Sequence, residues 1–227
     1  MGEDLAAALG AGERPGLRIL WAPVDDYCRC LSDRERACMA GAVEKRRREF
    51  STGRWLAHRA LAGLDVPARD LLPGPARNPL WPPRTVGSIA HSEQLALVAV
   101  GPEAEYRGVG VDLEATRRVG PALVPRILTA RERRDFADLD PTLLFSAKEA
   151  FFKLAYPIIG RYFDFLDVEI DLDRATRSFR VHLHGDVAAT PALGAARGSF
   201  ATWRRHRVTL LTLERAAGAQ GAQRRRA

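Results

Sequence analysis

Apolar and polar residues follow two different periods along this chain, and the switches between them outline its elements. Residues 17–23 are a short apolar run with a tryptophan and read as a strand. Ser32 with Glu35 forms a capping box that opens a helix running to about residue 50, and a second helix runs from about 52 to 64, stopping before Val66-Pro67. Pro73-Gly74-Pro75, Asn78-Pro79 and Pro82-Pro83 force irregular backbone. Three strands are predicted next, over 86–91, 95–100 and 108–114. Thr129 with Glu132 is a second capping box, opening a short charged helix to about 139. Asp140 then supplies an N-cap with Pro141 at the first helical position, and Pro157 is the predicted stop of that helix. Residues 165–172 with 178–183, and 200–204 with 208–214, alternate like two hairpins. Helices then strands, twice over, is an α+β order.

Composition narrows the class. At 227 residues the chain is one large domain or two small ones, and 46% apolar residues suffice for a sizeable core. Lysine and arginine number 35 against 28 acids, a net charge of +7 that favours an acidic partner. The start is acidic and leads into no apolar signal region, and no run approaches the ~20 residues that span a bilayer, so a cytoplasmic protein without a membrane partner is expected. Cys28, Cys30 and Cys38 have no nearby histidine to complete a zinc site and read as reduced thiols. The Ala/Gly-rich first fifteen residues are expected to fray, and 216–227, ending in three arginines, to be disordered.

The chemistry concentrates in two segments. Gly108-Val-Gly-Val-Asp112-Leu-Glu114 places two carboxylates on one side of a strand. Phe145-Ser-Ala-Lys148-Glu149-Ala-Phe-Phe-Lys153 lies on a helix, with Glu149 and Lys153 four apart on one face. An arbitrary Asp-x-Glu is usually a pair of solvent-facing acids, and a Glu–Lys pair usually a solvated helix face. Here the apolar surroundings of both segments argue for burial. Three carboxylates and two lysines meeting at one point would hold a hard divalent cation against a phosphorylated substrate. His91 in Gly87-Ser88-Ile89-Ala90-His91-Ser92 and the basic run Lys45-Arg46-Arg47-Arg48 are, taken alone, more often structural and solvated respectively.

These motifs together resemble the phosphopantetheinyl transferases of the surfactin- and enterobactin-synthase type. The family reads Gly-(Ile/Val)-Asp-x-Glu, then (Trp/Phe)-(Ser/Cys/Thr)-x-Lys-Glu-(Ala/Ser)-x-x-Lys. A Gly-Ser-x-(Ser/Thr)-His segment lies upstream, preceded by an Arg-x-x-Phe-x-x-Gly-Arg helix matching residues 47–54. The resemblance spans residues 40 to 170, departing from the pattern at Ala90, where the family's hydroxyl is missing.

It implies two similar αβ halves related by a pseudo-twofold axis, with the active site at their junction, although no duplication is visible in the sequence. The halves are placed at 1–116 and 117–215. It implies transfer of 4′-phosphopantetheine from coenzyme A to a serine of an apo carrier protein by a monomer dependent on Mg²⁺. Asp112, Glu114 and Glu149 would hold the metal, and Glu149 would take the serine proton. Lys153 would stabilise the transferring phosphorus, with Lys148 also near the phosphates. Arg47, Arg54, Arg77, Ser88 and His91 would bind the coenzyme. The carrier would be acidic, and the enterobactin-like Phe-Ser-Ala-Lys-Glu leans towards secondary metabolism, siderophores included. Two other readings remain: a basic nucleic-acid-binding protein, and a homologue that binds coenzyme A without transferring it.

Overall fold

Alternation along single strands builds this molecule in layers. The structure, a computed structural model, describes residues 3–67 and 70–216. In chain order the elements are α1 (Glu3–Ala8), β1 (Arg18–Pro23), α2 (Asp33–Ala37), α3 (Glu44–Ala62), β2 (Thr85–His91), β3 (Leu95–Pro102) and β4 (Tyr106–Ala115). They continue with α4 (Val124–Ile127), α5 (Ala130–Asp135), α6 (Pro141–Ile159), β5 (Val168–Asp173), β6 (Ser178–Leu183), β7 (Arg197–Trp203) and β8 (His206–Glu214). Two antiparallel sheets result, ordered β1-β3-β2 and β4-β8-β7-β6-β5. On β3, Leu97 and Ala99 join a core shared with Val109, Val111 and Leu113 of β4, while Val98 and Val100 pack beneath α3. On β8, Val208 and Leu210 enter the shared core, whereas Leu211 and Leu213 pack under α6. The fold is α+β, with each long helix covering the outer face of one sheet.

The halves repeat one local device. Each begins with a capping box whose glutamate is fully buried, and each continues into a 19-residue helix. Glu35 accepts the amide of Ser32 on Oε2, and the amide of Leu71 and Nε2 of His58 on Oε1. Glu132 accepts the amide of Thr129 and the ammonium of Lys148 on Oε2, and the amide of Ile170 on Oε1. A buried carboxylate is tolerable only when so many donors replace its water.

Several expectations need correction. The first helical region breaks at 38–43, not at 51: Gly41 has φ +77°, and α3 then runs unbroken past Ser51 and Thr52. Those hydroxyls bond back to the Arg48 carbonyl and also receive the amides of Tyr27 and Asp25, so they anchor a loop instead of ending a helix. Pro157 lies inside the last turn of α6; the stop is Gly160, in the left-handed conformation at φ +69°. The N-terminus does not simply fray, because Leu5 and Leu9 are buried and Arg14 donates to the Leu9 and Gly10 carbonyls. Strand β4, grouped by sequence with residues 1–116, pairs in register with β8 of the C-terminal sheet. The expected tail lies, from residue 217 on, outside the described residues.

Candidate active site

Strand β4 shows why Gly-Val-Gly-Val precedes the two acids. Its odd positions fill the shared core, so Gly108, Gly110, Asp112 and Glu114 all face the other way. A Cβ on Gly110 would lie 1.9 Å from the Ala150 carbonyl oxygen, and one on Gly108 would lie 3.0 Å from Leu154 Cγ. The glycines therefore let α6 approach to backbone contact, which sets Glu149 and Lys153 beside the carboxylates further along the strand. Ser146 adds a second tie: its hydroxyl lies 2.9 Å from Thr209 Oγ1, which donates to the Ser146 carbonyl. Thr209 is the register partner of Asp112.

At that point Lys153 Nζ donates to Asp112 Oδ1 at 2.6 Å, while Asp112 Oδ2 is buried without a hydrogen-bond partner among the described residues. Burial, then the neighbouring Asp112, pushes Glu114 up to about 7 against the opposing pull of Lys153 and Arg118. Burial also raises Glu149, with Lys153 opposing and Asp112 adding. Burial works against the charge on Lys153, but Asp112, Glu149 and Glu114 outweigh it and hold its pKa above the usual lysine range. The cluster carries more carboxylate than its one ammonium compensates, and its donors are the hard oxygens that magnesium takes. The residues thus fit a divalent cation in kind. Among the described residues, however, no three His, Cys, Asp or Glu side chains are gathered into a finished cage.

Lys148, expected near the phosphates, borders the hollow beside Glu149, but its ammonium is engaged within the C-terminal half. It is 1% exposed and its ammonium is shared by Glu132 Oε2, the Ile127 carbonyl and the Phe165 carbonyl at 2.7–2.9 Å. Burial lowers its pKa, with Glu132 resisting. Its charge is used inside the C-terminal half.

Beside the carboxylate cluster opens a basic cavity of roughly 400 Å³, lined in part by Arg46, Arg54, Arg77 and His91. Arg54 is 5% exposed, its Nε has no partner among the described residues, and burial lowers its pKa to about 10. Arg77 sits at φ +62° in the 74–78 turn, a left-handed position that is strained for a side-chain-bearing residue and aims it at the cavity. His91 receives the Arg46 Nη1 donor on Nε2 at 3.1 Å, so its proton is on Nδ1, 3.6 Å from Glu49. Burial, reinforced by Arg46, Lys153 and Lys45, pushes His91 down to about 4, and the ring is neutral. Ser88 is buried and lines an adjoining groove with Arg77, Glu149, Phe152 and Lys153. Beyond Glu149 lies a largely apolar hollow of roughly 240 Å³ bordered by Phe152, Tyr162, Phe163 and Phe165.

Arg47, expected in the cavity, is not a lining residue; it faces Asp26 at 3.7 Å. Arg46, part of a basic run that taken alone reads as a solvated face, lines the cavity instead. Arg47 and Arg54 are seven apart and share a helical stripe, but the Arg54 guanidinium folds back over the Phe50 ring, 4.5 Å from its centroid. The cavity therefore follows the stripe of Arg46, Phe50 and Gly53. Gly53 was the available signal: its missing side chain marks where α3 meets Ile89 of β2. Glu49, buried between Arg46 and His91, was missed altogether.

A basic cavity joined to a lysine–carboxylate cluster by the groove that Arg77, Glu149 and Lys153 line suits a protein of the phosphoryl-transfer class. Residues 34–101 match the 4′-phosphopantetheinyl transferase N-terminal domain, and residues 108–209 match the 4′-phosphopantetheinyl transferase superfamily. The chain belongs to that superfamily. It is 33% identical over 204 residues to 4′-phosphopantetheinyl transferase Svp of Streptomyces mobaraensis, covering 86% of this chain and 83% of the relative. It is 30% identical over 223 residues to 4′-phosphopantetheinyl transferase PptT of Mycobacterium tuberculosis, covering 93% of each. Among solved structures it resembles the holo-[acyl-carrier-protein] synthase of Thermotoga maritima, with TM-score 0.39, 28% identity, and 48% of this chain and 64% of that one covered.

Proposed function

We propose how the junction divides the labour of the family's reaction: the chain moves 4′-phosphopantetheine from coenzyme A to a serine of an apo carrier protein, releasing adenosine 3′,5′-bisphosphate. The observation that carries this reading is the basic cavity of Arg46, Arg54, Arg77 and His91 opening beside Asp112, Glu114, Glu149 and Lys153. The cavity takes the 3′-phosphate end of the coenzyme. Guanidinium groups suit it because they grip phosphate oxygens bidentately, and neutral His91 contributes a hydrogen bond. The aromatic hollow beyond Glu149 suits the pantetheine arm.

Asp112, Glu114 and Glu149 would hold Mg²⁺, which supplies charge neutralisation at the pyrophosphate when bound. The serine oxygen attacks the phosphorus nearest pantetheine, the bond to the bisphosphate breaks, and the serine proton passes to Glu149. A carboxylate raised by burial is a better base near neutrality than an ordinary one. Lys153, held by Asp112, keeps a positive charge where negative charge is transferred. Little covalent chemistry is asked of the protein; positioning and charge carry the rate. The partner is an acidic carrier domain, met in the cytoplasm by a monomer of net charge +7.

The basic run on α3 does not favour a nucleic-acid reading. Lys45 pairs with Glu93, Arg46 with Glu49, Arg47 with Asp26, and Arg48 with Asp25 and Glu44. The test is mass spectrometry of an apo carrier protein after incubation with coenzyme A and Mg²⁺. A phosphopantetheine adduct is expected. Coenzyme A binding without an adduct would leave a binding protein only.

A further inference from the structure

We propose that Cys38 is a thiol-modification site at the mouth of the coenzyme cavity, where a mixed disulfide with a small anionic thiol shuts off transfer. The inference rests on the nucleotide reading of that cavity. Cys28, Cys30 and Cys38 are all free, and Cys38 lines the basic cavity. It is exposed at the C-terminal end of α2, with Sγ 3.3 Å from the Arg34 carbonyl. A lone exposed thiol would mean little. What distinguishes this one is Arg54 in the same wall, 5% exposed, its Nε unpartnered and its guanidinium in no hydrogen bond or ion pair with a described residue. Both groups line the one cavity, together with Arg46, Arg77 and His91. A buried cation with no counter-ion among the described residues draws an anionic reagent into the cavity that the thiol lines, and the sulfur attacks as its thiolate.

The chemistry is thiol–disulfide exchange with a low-molecular-weight disulfide bearing carboxylates. Cys38 loses its proton to solvent, and its sulfur attacks one sulfur of the reagent. The reagent's S–S bond breaks, a Cys38 S–S bond forms, and the other half leaves as thiolate. The disulfide is the oxidant and is consumed. The retained half then projects carboxylates towards Arg46, Arg54 and Arg77, the groups assigned to the coenzyme phosphate, in a cavity of only roughly 400 Å³.

Glutathione disulfide is the probe. The whole chain is treated with it, modification at each cysteine is followed by peptide mass spectrometry, and transfer is assayed on the same samples. Cys38 should react ahead of Cys30, which is also exposed. Transfer should be lost in proportion to the Cys38 adduct and restored by dithiothreitol, and adenosine 3′,5′-bisphosphate should slow modification at Cys38 alone. A Cys38→Ser variant, compared with its own untreated rate, should lose no transfer. Equal reaction of Cys38 and Cys30, or full transfer by a Cys38-modified enzyme, overturns the proposal. Calorimetry separates the two ideas. If the nucleotide binds the untreated protein yet gives no protection, the modification site is refuted and the nucleotide reading stands. If the nucleotide does not bind, the nucleotide reading itself is refuted, and the competition proposed here with it.

Discussion

At the scale of single residues, one sequence motif hides two fates. Lys148 and Lys153 stand in the same nine-residue segment, but five positions turn a helix through about 500°, leaving them about 140° apart. Lys153 therefore meets Asp112, while Lys148 is swallowed by Glu132 and two carbonyls. Lys148→Met should cost about 3–5 kcal/mol of stability by leaving Glu132 buried and unpaired, measured by chemical denaturation. Lys153→Met should instead lower transfer with a small change in stability. Arg46→Ala should weaken coenzyme A by about ten- to a hundredfold, the ~1.5–3 kcal/mol of a charged hydrogen bond, and dephospho-coenzyme A far less; Arg47→Ala should change neither. Titration calorimetry with both ligands decides between them. His91 should titrate near 4 in the free protein, because its cationic neighbours and burial disfavour its charge. A phosphate dianion in the cavity reverses that field, so adenosine 3′,5′-bisphosphate should move its NMR titration upward. A downward or absent shift would remove His91 from the phosphate site.

At the scale of elements, the legible parts were those with a local cause. Both capping boxes could be read because a cap and its glutamate lie three positions apart. The Asp112–Glu114 strand and the Lys-Glu helix were legible for the same reason, as local patterns of period and charge. What could not be read depends on contacts between elements. Three successive arginines look alike in sequence, and only the fold of Arg54 over Phe50 chooses Arg46. Ser51 and Thr52 look like helix breakers until the loop at 25–27 arrives to use their hydroxyls. The approach of α6 to β4 is the contact on which the site depends most. Gly110→Ala would push a methyl into the Ala150 carbonyl, and neither partner is a flexible side-chain tip. The helix must shift, so transfer should fall steeply even in protein that remains folded by circular dichroism. An enzyme with ordinary turnover would show that the junction tolerates such a shift.

At the scale of the whole molecule, the net charge of +7 should steer an acidic carrier, and that steering is screened beyond ~8–10 Å at ordinary salt. The carrier KM should rise with NaCl more steeply than the coenzyme KM, since the coenzyme phosphates would be gripped by buried and half-buried groups of the basic cavity. A carrier KM flat from low to high salt would take steering out of the account. The paired glutamates have a different reach. Because Glu35 holds the Leu71 amide and Glu132 the Ile170 amide, each half carries a distant backbone proton whose shielding depends on its own lock staying shut. Native-state hydrogen exchange at those two amides therefore reports separately on the opening of each half. If the active site is the seam between two independently locked bodies, Glu35→Gln should release the Leu71 proton earlier while leaving Ile170 slow. The seam could then part without either body melting.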